Sequence, residues 1–316
     1  MRLVFMGTSS FAVPCLDYLS KREDMTLAAV VTKPSRPAGR GRELRPTPVK
    51  EMAEKKGLRL LEREDVKSED FRRDLKELDP DLIVVAAFGK ILPGEVLRIP
   101  RYGAVNIHAS LLPRYRGASP INWAIINGEK ETGVTSFFME EGLDTGPIIS
   151  QRSCAIGPED DSGVLEDKLK GLAVEVLAET LEKVKDPLGK ARPQDETKAT
   201  LAPKITSDTG KIDWAYGGEK ICNLIRGLSP RPGAYTFFKK DKFINQPEDG
   251  AILVKIWKAA YVRETVSGNE VGKVIEMGKR GLKVSAGEGL VLIEELQPAG
   301  KRRMKAQEFW PGYSHG

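Results

Sequence analysis

The sequence predicts a doubly wound, Rossmann-like α/β domain with a parallel sheet, followed by a small OB-like β-barrel. Three observations predict it. Apolar runs alternate with helix-compatible stretches over the first hundred residues. A stretch rich in Pro and Gly interrupts the chain near residue 190. Beyond it, short apolar runs recur with glycines between them, the spacing of a small all-β unit.

Leu3 to Met6 is a short apolar run ending in Gly7 and reads as the first strand. Phe11 to Leu19 follows as a helix, and Leu27 to Val31 as a second strand. Pro48 to Lys56 has helical character, Leu58 to Leu60 reads as a short strand, and Glu69 to Glu77 as another helix. Asp81 to Ala86 is continuously apolar after its Asp, as a strand buried on both faces should be. Tyr102 to Ile107 is the fifth strand. A long amphipathic helix is expected over Ser162 to Val184. Lys185 to Lys204, with Pro187, Gly189, Pro193 and Pro203, has the composition of an interdomain linker. Tyr235–Phe238, Ala251–Trp257, Val271–Ile275, Leu282–Val284 and Leu290–Ile293 then read as barrel strands. The expected domains are 1–188 and 207–316, joined by 189–206.

The 316 residues suffice for two domains, and 40% hydrophobic with 30% charged residues excludes wholesale disorder. The most apolar runs, such as Asp81 to Phe88, fall far short of the ~20 residues that span a bilayer. The N-terminus enters a strand-like run at once, with no signal-peptide pattern, so a cytoplasmic protein is expected. Cys15, Cys154 and Cys222 form neither a disulfide framework nor a zinc pattern. The net charge of +5 is unevenly spread. Lys204 to the end holds 19 Lys and Arg against 13 Asp and Glu, and Lys33 to Arg59 nine against three. Two basic regions suit a shared polyanion. A solvated, lysine-rich surface accounts for them equally well.

Ligands of doubly wound domains gather at the carboxyl ends of the strands. Gly7-Thr8-Ser9-Ser10-Phe11 lacks the second and third glycines of a dinucleotide loop, which argues against a nicotinamide site. A tight turn with Ser9 or Ser10 capping the helix is the plainer reading. Asn106 and His108 are two apart on a strand end, so both side chains point the same way. The other histidine, His315, is next to the C-terminus, which leaves His108 for any near-neutral proton shuttle. A hydrogen-bonded structural histidine fits the same position. Gly142 and Gly146 flank Leu143-Asp144-Thr145, the form of a loop whose backbone closely approaches a ligand, or of a simple turn. No Ser-His-Asp order, HExxH or paired cysteines offers a competing centre, and no metal is expected.

The segment Asn106-Ile107-His108-Ala109-Ser110-Leu111-Leu112-Pro113, followed by Gly142-Leu143-Asp144-Thr145-Gly146, resembles the signature of the folate-dependent formyltransferases. Arg114 to Ile121 and the loop Arg36-Pro37-Ala38-Gly39-Arg40-Gly41 narrow the resemblance to the tRNA-directed branch of that family. Leu201 to Ile205, Ile212 to Trp214 and Leu296 to Lys301 extend it along the chain. The resemblance implies formyl transfer from 10-formyltetrahydrofolate to the α-amino group of methionine on initiator tRNA; a monomer is expected.

The family's Asn-His-Asp triad falls on Asn106, His108 and Asp144. These residue types suit the chemistry. As an amine attacks the formyl carbon, negative charge grows on the carbonyl oxygen, and the Asn106 amide and a His108 N–H would both stabilise it. Asp144 would orient His108. Passing a proton from the attacking amine to the leaving nitrogen is a second role for His108, and the sequence does not choose between them. For the folate, the resemblance implies Phe88, Gly89, Ile91 and Leu92, then Ser110, Leu111, Leu112 and Pro113, and finally Glu141 and Gly142. For tRNA it implies Arg36, Arg40, Arg42 and Arg45, with Lys204, Lys301, Arg302 and Arg303. The chain departs from the family pattern at Ser9-Ser10, where Pro-Asp is common, and at Tyr115, where Trp is frequent. A formyltransferase for a small amine, such as a sugar nucleotide or glycinamide ribonucleotide, or a formyltetrahydrofolate hydrolase, would need neither the Arg36–Arg42 loop nor a basic β domain.

Overall fold

The computed structural model describes residues 1–38, 43–185, 191–264 and 270–313, and it divides the chain into two compact units. The first comprises Met1–Pro120, Glu131–Ala155 and Glu166–Pro203; the second comprises Ile121–Lys130, Ile156–Leu165 and Lys204–Gly316.

The first unit is built on β1 (Arg2–Gly7), β2 (Thr26–Thr32), β5 (Leu60–Glu62), β6 (Leu82–Ala86) and β7 (Ala104–His108), all parallel. Between β2 and β5, the short strands β3 (Arg36–Ala38) and β4 (Glu43–Arg45) form an antiparallel ribbon of their own. Two further strands extend this edge, β8 (Glu131–Phe138) antiparallel to β7 and β9 (Ile148–Ala155) antiparallel to β8, so the sheet order is β5-β2-β1-β6-β7-β8-β9. The sheet is thus parallel Rossmann-like with an antiparallel edge. Sequence patterning overlooked that edge because polar residues stand among its buried apolar ones, Val134, Phe137, Ile148 and Ile149. Thr132, Thr135 and Ser136 of β8 are buried, and the Thr180 hydroxyl donates to Ser136 Oγ at 2.6 Å. Satisfied hydroxyls can occupy a core, but they erase the apolar signature.

Both faces of the parallel part are covered. Val4 and Met6 of β1 join Ile83 and Val85 of β6 in a cluster with Phe71 and Leu75, while Leu3 and Phe5 are fully buried as well. Phe71 and Leu75 lie on α3 (Glu69–Leu78), whose first turn is capped by Ser68. On α2 (Pro48–Lys55) the cap is Thr47, its hydroxyl accepting from Lys50 N at 3.1 Å. The residue after its last turn, Leu58, gives its N–H to Ala53 O, so β5 begins at Leu60 rather than at Leu58.

The loop after β1 corrects another expectation. Neither Ser9 nor Ser10 caps α1 (Val13–Ser20), because a 3₁₀ turn over Ser10–Ala12 precedes the helix. The Ser10 hydroxyl bonds Glu166 instead, at 2.5 Å. The short helices α4 (Gly94–Leu97) and α5 (Pro120–Ile126) also escaped the sequence reading, while α6 (Ser162–Lys183) matches it.

In the second unit, α7 (Gly218–Leu228) precedes β10 (Ala234–Lys239), β11 (Lys242–Ile244), β12 (Ile252–Val262), β13 (Val274–Gly278), β14 (Gly281–Ser285) and β15 (Leu290–Pro298). These strands form an antiparallel sheet in the order β11-β10-β12-β15-β14-β13, with β16 (Met304–Lys305) on β15 and α8 (Ala306–Tyr313) closing the chain. A bridge between Lys242 and Lys273 joins the two edges, so the sheet curls back on itself. Trp214, Phe238, Phe243 and Phe309 fill its centre, and the indole N–H of Trp214 donates to Thr236 Oγ1 at 2.9 Å. The sequence reading missed α7 although its buried Ile221, Cys222, Ile225 and Leu228 make a helical stripe.

None of the three cysteines is in a disulfide, and burial pushes the thiols of Cys15 and Cys222 up to about 12, which makes these two packing residues rather than nucleophiles. Among the described residues, no helix is long and apolar enough to cross a membrane.

Gly7 fixes how closely the first loop follows its strand. A Cβ there would sit 2.8 Å from Ala12 Cβ and 3.1 Å from Ala86 O. Gly7→Ala is expected to destabilise the protein by about 1–3 kcal/mol through overpacking, read from the midpoint of a urea titration.

Candidate active site

The topology switches direction between β1 and β6, and their carboxyl-end loops are tied together where the Thr8 hydroxyl donates to Phe88 O at 3.1 Å. Next to them, β7 carries Asn106 and His108 on one side of the strand. His108 is its last residue and is buried, while Asn106 is half-buried. Among the described residues, nothing hydrogen-bonds the Asn106 side-chain amide, which leaves both its donors available.

His108 is hydrogen-bonded at one ring nitrogen and faces a carboxylate with the other. Nε2 lies 2.9 Å from the carbonyl oxygen of Tyr115, which can only accept, so Nε2 is the donor. Nδ1 faces Asp144 Oδ2 at 3.7 Å, beyond direct hydrogen-bond reach. Two distant stretches of chain therefore bring the imidazole and the carboxylate together. The edge of the His108 ring also meets Phe137 of β8, with ring centroids 6.5 Å apart.

Asp144 adopts φ 53°, a left-handed conformation that Asp tolerates better than most residues. Its Oδ2 accepts from the Gly117 amide at 2.8 Å. The glycines around it are tight for internal reasons. A Cβ on Gly146 would lie 1.7 Å from Phe138 O, so the close approach inferred from the sequence is to the protein's own strand β8. Leu143, next to Asp144, is exposed.

The loop leaving β7 is held by hydroxyls. The Thr135 hydroxyl donates to Ser110 O at 2.6 Å and accepts from Leu112 N at 3.1 Å, and the Ser110 hydroxyl donates to Arg114 O at 2.6 Å. Farther along, Arg116 is buried, and its guanidinium reaches Glu196 Oε1 at 2.7 Å, Glu196 Oε2 at 2.8 Å and Gln194 Oε1 at 2.8 Å. The Glu196 carboxylate, with help from Asp144, holds the Arg116 guanidinium above its ordinary pKa against the effect of burial. Arg116 in turn holds the Glu196 carboxyl below the usual carboxylate range. Composition gave no sign of Arg116, Gln194 and Glu196 as parts of the site. An Arg after an aromatic residue and a polar run between prolines look like ordinary surface.

The other expected residues separate into two groups. Phe88, Leu92, Ser110 and Leu112 are buried in packing, whereas Ile91, Glu141 and Gly142 are exposed. Leu111 and Pro113 are half-buried, and the Gly89 carbonyl accepts from Lys33 Nζ at 2.9 Å. Ile91, Leu92 and Glu141, together with Arg98, line an open cavity of about 490 Å³. Among the expected tRNA contacts, Arg36 pairs with Glu64, Arg302 with Glu308 and Arg303 with Glu295, at 2.8, 3.0 and 2.5 Å. Arg45, Lys204 and Lys301 are exposed. Arg40 and Arg42 lie outside the described residues, as does His315.

An α/β unit with an amide, an imidazole and a carboxylate at the carboxyl edge of its sheet, followed by a curled antiparallel unit, carries side chains of the kinds that group-transfer enzymes use. The particular family follows from comparison: the chain belongs to the formyl transferase family, residues 1–181 matching the model described as formyl transferase and residues 204–314 that of the formyl transferase C-terminal domain. A relative from Caldanaerobacter subterraneus subsp. tengcongensis, named methionyl-tRNA formyltransferase, is 50% identical over 99% of this chain and 97% of its own. One of the same name from Halothermothrix orenii is 45% identical over 99% and 98%. Among solved structures, an N-formyltransferase from Helicobacter canadensis, in complex with folinic acid and dTDP-3-aminofucose, superposes with a TM-score of 0.66 at 18% identity, covering 96% of this chain and 99% of that one. At that identity the likeness shows the fold alone.

Glu196 titrates lower in the folded protein than in the unfolded chain. Its contribution to stability is therefore full above the ordinary glutamate value of about 4.3 and is lost as pH falls through the lowered folded value. Melting temperatures measured across this range for the wild type and Glu196→Gln should differ at neutral pH and converge in acid.

Proposed function

We propose that the chain transfers the formyl group of 10-formyltetrahydrofolate to the α-amino group of the methionine carried by initiator tRNA, acting as a monomer in the cytoplasm. The observation that carries the chemistry is that His108 faces Asp144 two residues along the strand from an Asn106 amide that no described residue bonds. Kinship over nearly the full length of relatives named for methionyl-tRNA supports the acceptor.

The residues present suit a folate. The cavity beside Ile91, Leu92 and Glu141 is in the size range of small-molecule sites, and the free Asn106 donors suit a carbonyl oxygen. The folate supplies the formyl group. Asn106 holds its amide toward developing negative charge. His108, with Nε2 committed to Tyr115 O, presents Nδ1 on the Asp144 side, where a proton can be passed or held. Phe88, Gly89, Ser110, Leu111, Leu112, Pro113 and Gly142 complete the folate-binding segments in this reading. Residues 1–188 carry catalysis, 189–206 link, and 207–316 bind tRNA; Lys204 at the end of the linker, with Lys301, Arg302 and Arg303, joins Arg36, Arg40, Arg42 and Arg45 on the phosphates.

With charged initiator tRNA and 10-formyltetrahydrofolate, His108→Ala and Asn106→Ala should each lower turnover by roughly 10²–10⁴ while circular dichroism stays that of the wild type. Undiminished turnover in both would defeat the assignment. Faster formylation of an amino-sugar nucleotide than of methionyl-tRNA would move the acceptor to a small amine.

Affinity for tRNA should weaken as salt rises. Replacing Lys301, Arg302 and Arg303 together by Ala should flatten the plot of log K against log salt by about one for each phosphate no longer neutralised. Filter binding at several salt concentrations measures that slope.

A further inference from the structure

We infer that Gln194 is a positioning residue for the reaction: with Arg116 and Glu196 it clamps the Asp144 loop and the Tyr115 turn onto the two sides of His108. The inference rests on the proposed roles of His108 and Asp144 and adds a part of the chain that the proposed function leaves as a linker.

The Gln194 amide bonds in two directions. Its Nε2 donates to Asp144 O and to Gly146 O, both at 2.8 Å, so one side chain spans the turn that presents the Asp144 carboxylate. Its Oε1 accepts from Arg116 Nε at 3.1 Å and Nη2 at 2.8 Å. That orients the amide, because the charged guanidinium admits only the oxygen on its side. Arg116 is buried and comes directly after Tyr115, whose carbonyl receives His108 Nε2. A displacement of Arg116 therefore moves the acceptor of His108, and a displacement of Gln194 moves Asp144.

The backbone of the same segment reinforces this. Arg192 exchanges both of its backbone hydrogen bonds with Ile148 of β9, at 2.8 and 2.9 Å. Farther along the segment, Thr200 O accepts from Arg116 N at 2.8 Å, and Thr200 Oγ1 from Tyr115 N at 2.9 Å. The Ala202 amide donates to Arg116 O at 2.7 Å. Residues 192–202 are thus stitched to the Asp144 side at one end and to the Tyr115 turn at the other. Gln194 and Glu196 stand between the stitches. A spacer that only joined two domains would need none of these bonds.

Gln194→Glu separates positioning from packing. The substitution keeps the size and the oxygen facing Arg116, but it replaces the N–H₂ by an oxygen that repels the Asp144 and Gly146 carbonyls. The expected result is a loss of roughly tenfold or more in kcat with KM for methionyl-tRNA within about twofold of wild type, since misplacement of catalytic groups acts on the reacting geometry. In an Asp144→Ala background the same substitution should cost nothing further, because it acts through Asp144. Hydrogen exchange supplies a readout that needs no substrate. The Gly117 amide, which donates to Asp144, should exchange faster in Gln194→Glu while β7 stays protected. Glu196→Gln, at a side chain 66% exposed, should show a smaller loss in the same direction, and it decides the matter if Gln194→Glu does not fold. Wild-type kcat together with wild-type exchange at Gly117 in a folded variant overturns the clamp. A wild-type protein that formylates no methionyl-tRNA overturns the functional reading instead, and the exchange measurement still tests the clamp.

Discussion

Strand β7 is where the sheet changes from parallel to antiparallel pairing, and every candidate catalytic group depends on that placement. Val105 is paired with Val84 on one side and with Phe138 on the other, and Asn106 with Val85 and Phe137. A central strand held from both flanks has little freedom to slip, since a shift of one residue would turn Asn106 and His108 to the opposite face. The antiparallel partner also anchors the chain as it leaves β7. Thr135 stands opposite His108, and its hydroxyl holds Ser110 O and Leu112 N just past the end of the strand. Antiparallel pairing at this edge therefore does two things at once. It fixes the register of β7, and it places side chains where they can shape the adjoining loop.

The second constraint is a buried charge. Arg116 brings its guanidinium out of water, which is costly unless its donors are matched. Gln194 and Glu196 match them from a segment almost eighty residues away in the chain. Removing one partner of a buried ion generally costs much more than the pair contributes, so the three residues hold one another in a single arrangement. Because Arg116 adjoins Tyr115, and Gln194 spans the Asp144 turn, that arrangement is transmitted to both nitrogens of His108. The imidazole itself makes few bonds of its own; its orientation is imposed by backbone groups that the network positions.

The glycine-flanked loop shows how a functional and a structural demand share one stretch. Gly146 has no room for a side chain because Phe138 O lies against it, and the turn that results places Asp144 at φ 53°. The carboxylate then accepts the Gly117 amide while facing His108. A loop built for close packing on its own scaffold thereby delivers one acidic group to the site.

Much of this was legible in the residues. The apolar runs marked β1, β2, β6 and β7, because a strand covered on both faces is largely apolar, and the recurrence of short runs marked the second unit. The motif around Asn106, His108 and Asp144 pointed to the family. Strands β8 and β9 were not legible, since buried threonines and serines, made acceptable only by partners elsewhere in the fold, break up their apolar residues. Nor was the role of residues 192–202, which have a linker's composition and yet make the bonds of a fixed element. Periodicity and motif are properties of neighbouring residues, and local chemistry alone determined them. The pairing of Arg116 with Glu196, and of Gln194 with the Asp144 turn, exists only once distant segments meet, and burial of the guanidinium is what makes that meeting specific.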